Sequence, residues 1–218
     1  MLKSFQYILP DGSRRLNIRG IARAALMALR GIPDTFLLSR PMLLARGARV
    51  TGTRYIRGAG ILKLEDQVVV QGESSRGVTL GSGVSFGAHS QLRPSSFYGG
   101  ELGEGCEIGP GTTFGPLAYI GCAGMIRIGR DCMFGPRVSL IAENHVISPR
   151  YETMKHAGVT RAGIEIGDDC WIGANVVILD GARIGIGCVI GASSVVRGEI
   201  PAYSIAVGSP ARVVKERT

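Results

Sequence analysis

From Val50 the chain sets a hydrophobic residue at every sixth position: Val50, Ile56, Leu62 and Val68, then Ser74 in the same register, then Leu80, Phe86 and Leu92. The next step, to Leu102, is ten; Ile108, Phe114 and Ile120 resume the sixes, a step of eight leads to Ile128, and Phe134 and Leu140 follow. After 26 residues the pattern returns at Ile166 and runs through Ile172, Ile178, Ile184 and Ile190 to Val196. From Leu80 onward, 12 of the 16 such positions are followed by glycine, so the chain turns after nearly every one.

A period of six matches neither an α-helix nor a simple hairpin meander, whereas self-similarity at a fixed period marks a solenoid. Each hexad predicts a short strand and a corner, with the aliphatic side chain inward and three hexads closing a triangular coil. The 21 positions predict roughly seven coils, paired backbone to backbone at ~4.8 Å. An extra residue inside a hexad would turn its apolar side chain outward, so insertions must leave at corners. The largest excess, between Leu140 and Ile166, predicts an expelled loop, "VISPRYETMKHAGVTRAGIE", directly after "AENH".

The ends differ. Residues 13–30 place Ile18, Ile21, Ala22, Ala25, Leu26 and Leu29 at helical spacing among Arg14, Arg15, Arg19, Arg23 and Arg30, and "DTFLLSR" forms a second short apolar segment between Pro33 and Pro41. Two readings are open: a cap over the first coil, or a basic amphipathic helix on an anionic membrane surface. The expected organisation is an N-terminal helical cap or membrane-surface segment at 1–49, a solenoid at 50–201 with its loop at about 146–165, and a C-terminal tail at 202–218.

Composition agrees with a cornered solenoid: glycine supplies 33 of 218 residues, about twice the usual ~7%. The formal charge of +8 favours anionic partners without choosing among them. No run of 18 apolar residues and no secretory leader is evident, which predicts a cytoplasmic protein. The five cysteines form no C-x-x-C pair, and Cys106, Cys132, Cys170 and Cys188 each stand two residues before a hexad's aliphatic position. That placement predicts small buried side chains rather than disulfides or zinc ligands.

With the hexads, "ENH" before the loop, "DDCWIGANVVILDGARIG" and "AVGSPARVV" in view, the chain resembles the left-handed β-helix acyltransferases with hexapeptide repeats, especially the maltose and bacterial polysaccharide O-acetyltransferase branch. The resemblance spans about residues 50–215. It implies an all-β fold, a left-handed parallel β-helix with a short helical N-terminal segment. It further implies a homotrimer with acetyl-CoA as acyl donor between neighbouring solenoids, no metal, and a saccharide acceptor for cell-surface polysaccharide biosynthesis.

The same resemblance makes His145 the general base; Asn144 and Glu143 adjoin it, either of them placed to orient the imidazole or contact the acceptor, and Asn144 is the one carried forward, Glu143 reading equally as a solvated corner carboxylate. It places Gly173, Ala174, Ala192 and Ser193 along the pantetheine arm, where small residues let the arm approach the backbone. Trp171 would line the groove or pack between subunits, and Arg212 and Lys215 would meet the phosphates of CoA. His89 and His156 read as structural and solvated. Other readings are an N-acetyltransferase acting on an amino sugar nucleotide, a non-enzymatic scaffold, and a zinc enzyme of the γ carbonic anhydrase type, for which the chain lacks the closely spaced histidines needed. No aromatic-basic reader motif points to nucleic acid.

Overall fold

The structure is a computed structural model that describes residues 6–8, 14–16, 18–31, 40–94, 101–147, 151 and 153–218. The second apolar segment of the N-terminal region, residues 34–39, lies outside them. Short strands stack into three parallel sheets that form the faces of a prism. The first face has nine strands, beginning at Met42–Leu44 and ending with Ser204–Gly208 and an antiparallel Ala211–Glu216. The second runs in seven strands from Arg49–Thr51 to Val195–Val196, and the third in seven from Ile56–Arg57 to Glu199–Ile200. The chain is a left-handed parallel β-helix, as the resemblance implied.

Every face buries a vertical row. On the first, Leu44, Leu64, Phe86, Phe114, Phe134, Ile172, Ile190 and Ala206 are successive register partners. The rings of Phe86, Phe114 and Phe134 stack with centroids 4.9 and 4.5 Å apart. Val70, Leu92, Ile120, Leu140, Ile178 and Val196 form the row of the second face, all fully buried. Leu80, Ile108, Ile128, Ile166, Ile184 and Ile200 form that of the third. Because each rung contacts mainly the rungs above and below it, stability is distributed along the axis.

The cysteines are buried and free, and three of them belong to a ladder of polar donors. The Thr112 hydroxyl donates to the carbonyl of Gly129 at 2.8 Å, the Cys132 thiol to Gly167 at 3.1 Å, Cys170 to Gly185 at 3.2 Å and Cys188 to Pro201 at 2.9 Å. Each reaches the corner of the following coil, so the small residue two before the aliphatic one bridges coils as well as filling space.

Before Ile108 the rungs depart from the register that the sequence suggests. In place of a uniform six from Val50 to Leu80, the ladder passes through Gly58, next in register after Ile56 and Arg57, then Leu64 and Val70, in steps of eight, six, six and ten. Leu62, one end of the strand Leu62–Leu64, and Val68, just before the strand Val69–Gln71, are buried too, and this imitates the hexad position. Ser74 is buried in a corner, where its hydroxyl donates to the Gly72 carbonyl at 2.9 Å. Leu102 is exposed and outside any strand; the rung after Leu92 is Ile108, sixteen residues on.

All these excess residues leave at one corner, between the second and third faces. The N-terminal helix α1 (Ile18–Arg30) packs against the first strand, Met42–Leu44, burying Met27 and Gly31. The apolar stripe read from the sequence is not the one that packs: Leu26 and Leu29 are 46% and 63% exposed.

Candidate active site

The 26-residue gap folds out as an antiparallel pair, Asn144–His145 against Val159–Thr160. His145 faces Val159 across it, and both Asn144 and His145 are exposed. The foot of this hairpin is held by residues far away in sequence. The Asp180 carboxylate accepts the N–H of Ala162 at 2.9 Å and of Gly163 at 2.7 Å, which fixes where the chain re-enters the coil. Arg161 lies 3.8 Å from Glu143 and 3.9 Å from Glu101, and its guanidinium also donates to the Leu102 carbonyl at 3.4 Å. The segments expelled from the third and fifth coils thus brace one another.

Asp180, Arg161 and Tyr119 are the residues here that sequence reasoning left out. Tyr119 projects from the second face with its ring over Gly121. Burial pushes its phenol above the usual range; Arg93 opposes that shift, and Cys122 and Glu143 add to it. The available signals were an aspartate before a glycine in "ILDGARIG" and an arginine just before re-entry at "RAGIEIG", both also typical of ordinary corners.

The residues associated with the donor lie elsewhere. Gly173 and Ala174 form one corner between the first and second faces, and Ala192 and Ser193 form the corner stacked on it, with the Ser193 N–H bonded to the Ala174 carbonyl at 2.8 Å. Ser193 has φ of 60°, so its side chain turns out from the corner, and Ala192 is exposed beside it. Gly173 has a different reason to be small: a Cβ there would stand 2.6 Å from the Ala192 nitrogen. Stacking of the next coil therefore accounts for that glycine without any ligand.

Trp171, 53% exposed, lies on the first face in a row with Met133, Val189 and Ile205. Lys215 is the partner of Ile205 in the last strand, and Arg212 that of Val207. The Gly208 N–H donates to the Ser194 hydroxyl at 3.0 Å, joining this C-terminal hairpin to the Ala192–Ser193 corner. Trp171, Gly173, Ala174, Ala192, Ser193, Arg212 and Lys215 consequently share one side of the prism. Asn144 and His145 emerge from the far edge of the second face, about six residues of strand or ~20 Å away across the coil. His89 is exposed with φ of 61° at an early corner, and His156 contacts Thr153 in the loop at 3.2 Å.

A groove of about 690 Å³ opens on the third face and contains none of these residues. Its floor is a ladder of alternating charge, Glu107, Arg127, Glu165 and Arg183, with separations of 3.5 to 3.7 Å. Those charges largely compensate one another, which argues for a structural ladder and against the groove as the site of the chemistry. Among the described residues no cluster of three His, Cys, Asp or Glu could hold a metal ion.

Residues 163–198 match the family model "Bacterial transferase hexapeptide (six repeats)". The resemblance to the hexapeptide-repeat acyltransferases holds. A probable acetyltransferase of Mycobacterium tuberculosis is 36% identical over 156 residues, covering 64% of this chain and 50% of its own length. The galactoside O-acetyltransferase of Escherichia coli is 37% identical over 91 residues, covering 42% of this chain and 44% of its own. The chain spans about half the length of the curated relatives it matches. A hexapeptide-repeat acetyltransferase of Vibrio cholerae shares the fold, with a TM-score of 0.52 at 20% identity over 91% of this chain and 88% of the other.

Proposed function

We propose that the protein is an acetyl-CoA-dependent O-acetyltransferase that modifies a sugar hydroxyl, working in the cytoplasm as a homotrimer during synthesis of a cell-surface polysaccharide. The observation that carries this reading is His145, presented on an expelled, braced hairpin of a hexapeptide solenoid whose relatives are named acetyltransferases. The galactoside O-acetyltransferase among them favours a hydroxyl acceptor.

The separation of His145 from the donor-side residues supports an active site shared by two subunits. The hairpin of one chain would meet the Ala174, Ala192 and Ser193 corners of its neighbour, where the small exposed residues Ala192 and Ser193 suit the approach of an extended pantetheine arm. Arg212 and Lys215, both exposed on the last strand, would face the phosphates of CoA. Trp171 would flank that groove.

In this arrangement the imidazole of His145 takes the proton of the acceptor hydroxyl as its oxygen attacks the thioester carbonyl carbon. The new C–O bond forms, the C–S bond breaks, and the proton passes to the departing thiolate to give free CoA. A positioned general base typically accounts for ~10²–10⁴-fold in rate, and Asn144 adjoins the same acceptor side.

Calorimetry of the full chain with acetyl-CoA is the first test, with saturable binding near one equivalent per chain expected. Sugar acceptors are then screened with wild type and His145→Ala, for which transfer should fall by ~10²-fold or more while acetyl-CoA still binds. Absence of acetyl-CoA binding, or undiminished transfer by the variant, would overturn the proposal. Preference for amino over hydroxyl sugars would convert it to N-acetylation.

A further inference from the structure

The positive charge is confined to one end of the molecule. Residues 12–64 hold eleven Arg and Lys against a single acid, Asp34, whereas residues 65–218 hold 13 basic against 15 acidic residues. Of this stretch the structure describes chiefly α1 and the first coil, the end of the prism opposite the C-terminal hairpin. Arg40 is buried, and its guanidinium donates to the carbonyls of Gly60, Leu80, Ala59 and Gly81, so it serves the fold. Arg23 and Lys63 are paired with Asp66 and Glu65. Arg30, Arg46, Arg49, Arg54 and Arg57 are exposed, and among the described residues no carboxylate lies within ion-pair distance of them.

The same end carries an unpartnered apolar stripe. On α1, Met27 and Gly31 turn toward the first strand, while Ala22, Ala25, Leu26 and Leu29 are exposed. Two outward leucines one turn apart within an arginine-rich surface make a helix that can lie in a lipid interface, with the leucines in the acyl boundary and the guanidinium groups among anionic headgroups. A soluble polyanion such as nucleic acid would use the arginines and leave the leucines idle.

We infer that this end docks the protein onto an anionic phospholipid bilayer through Leu26 and Leu29 of α1 and the exposed arginines of α1 and the first coil. The solenoid then stands with its axis away from the membrane. The His145 hairpin leaves from the fifth coil, four rungs above the first and hence ~20 Å from the surface. No helix among the described residues is long and apolar enough to cross a bilayer, so the contact is peripheral.

The test is co-sedimentation of the full chain with vesicles of phosphatidylcholine containing 30 mol% phosphatidylglycerol, against pure phosphatidylcholine. Wild type is expected to bind the anionic vesicles and to be released from them by high salt. Leu26→Glu with Leu29→Glu should weaken partitioning at least tenfold, as should Arg30→Glu, Arg46→Glu and Arg49→Glu together. All five positions are exposed, so the variants should keep the wild-type circular dichroism spectrum and melting temperature. Wild type remaining in the supernatant would overturn the inference. So would undiminished binding by the leucine variant, and a duplex DNA that displaces that variant would identify the basic end as a polyanion site instead.

Discussion

Replacing Asp180 with alanine tests whether the His145 hairpin is positioned by the coil or only by its own strand pair. The lost acceptor serves Ala162, which is exposed and regains water, and Gly163, which is buried and does not. A hydrogen bond to a charged group contributes ~1.5–3 kcal/mol, and a buried donor left alone costs a similar amount, so the local penalty is about 2 kcal/mol. That equals about a thirtyfold rise in the opening equilibrium of the hairpin foot. Native-state hydrogen exchange should therefore speed by about that factor at Gly163 and at the paired Val159 and Thr160, while amides of the Leu140 and Ile178 rungs keep their protection. If transfer is measurable, kcat should fall with acetyl-CoA affinity unchanged, because the donor-side residues occupy another edge. Asp180→Asn retains one acceptor oxygen and should recover part of the loss. Unaltered exchange at Gly163 would refute the anchoring role.

The remaining predictions concern the coil. Phe114→Ala removes the middle of a three-ring stack and should cost ~3–5 kcal/mol by chemical denaturation, against under ~1.5 for Phe114→Leu; a loss below ~1 kcal/mol would show that the rungs can collapse around the cavity. Gly105→Ala meets both a φ of 112° and the Gly77 carbonyl, so it should lower the melting temperature or prevent folding, and a wild-type melt would contradict the close approach. All five cysteines should resist an aromatic disulfide reagent at neutral pH until guanidinium is added, because each is buried; burial also holds the Cys122 thiol up, whereas contact with Cys170 holds those of Cys132 and Cys188 down, so for these two the protection rests on burial alone. Rapid labelling of the folded protein would show that the coil breathes.

From Ile108 onward the rungs could be read in the sequence because most inward residues are set off by glycine, and only glycine or another small residue lets successive corners stack closely. Gly109, Gly115 and Gly129 each face the next coil's corner backbone. The early coils were less legible for a physical reason. A short strand buries two residues, so Leu62 and Leu64 carry the same signal, and a wrong register with the same total length passes unnoticed between Val50 and Leu80. The place of His145 at the exit was legible because an insertion must leave the coil somewhere and the histidine stands where it does; its role rests on the family resemblance. Asp180 and Arg161 were not, since what they hold is set by three-dimensional stacking rather than by spacing along the chain.

The insertions share one exit, between the second and third faces, and this constrains how the site can be assembled. An insertion at a corner spares the ladders on either side, but large insertions that leave the third and fifth coils at the same edge must pack on each other, as Arg161 does with Glu101 and the Leu102 carbonyl. Concentrating them at one edge leaves the corner with Ala174, Ala192 and Ser193 free of loops, a clean surface on which another chain can be seated. Within a single chain that surface and His145 face different directions, so no flexing of the hairpin short of unfolding its foot would unite them. For the trimer proposed above, mixing His145→Ala chains with chains carrying Arg212→Glu separates the alternatives. If sites are shared between subunits, some sites in the mixture receive an intact hairpin and an intact donor surface, and transfer should exceed that of either homotrimer. If each site lies within one chain, every site in the mixture carries one defect and no recovery can occur.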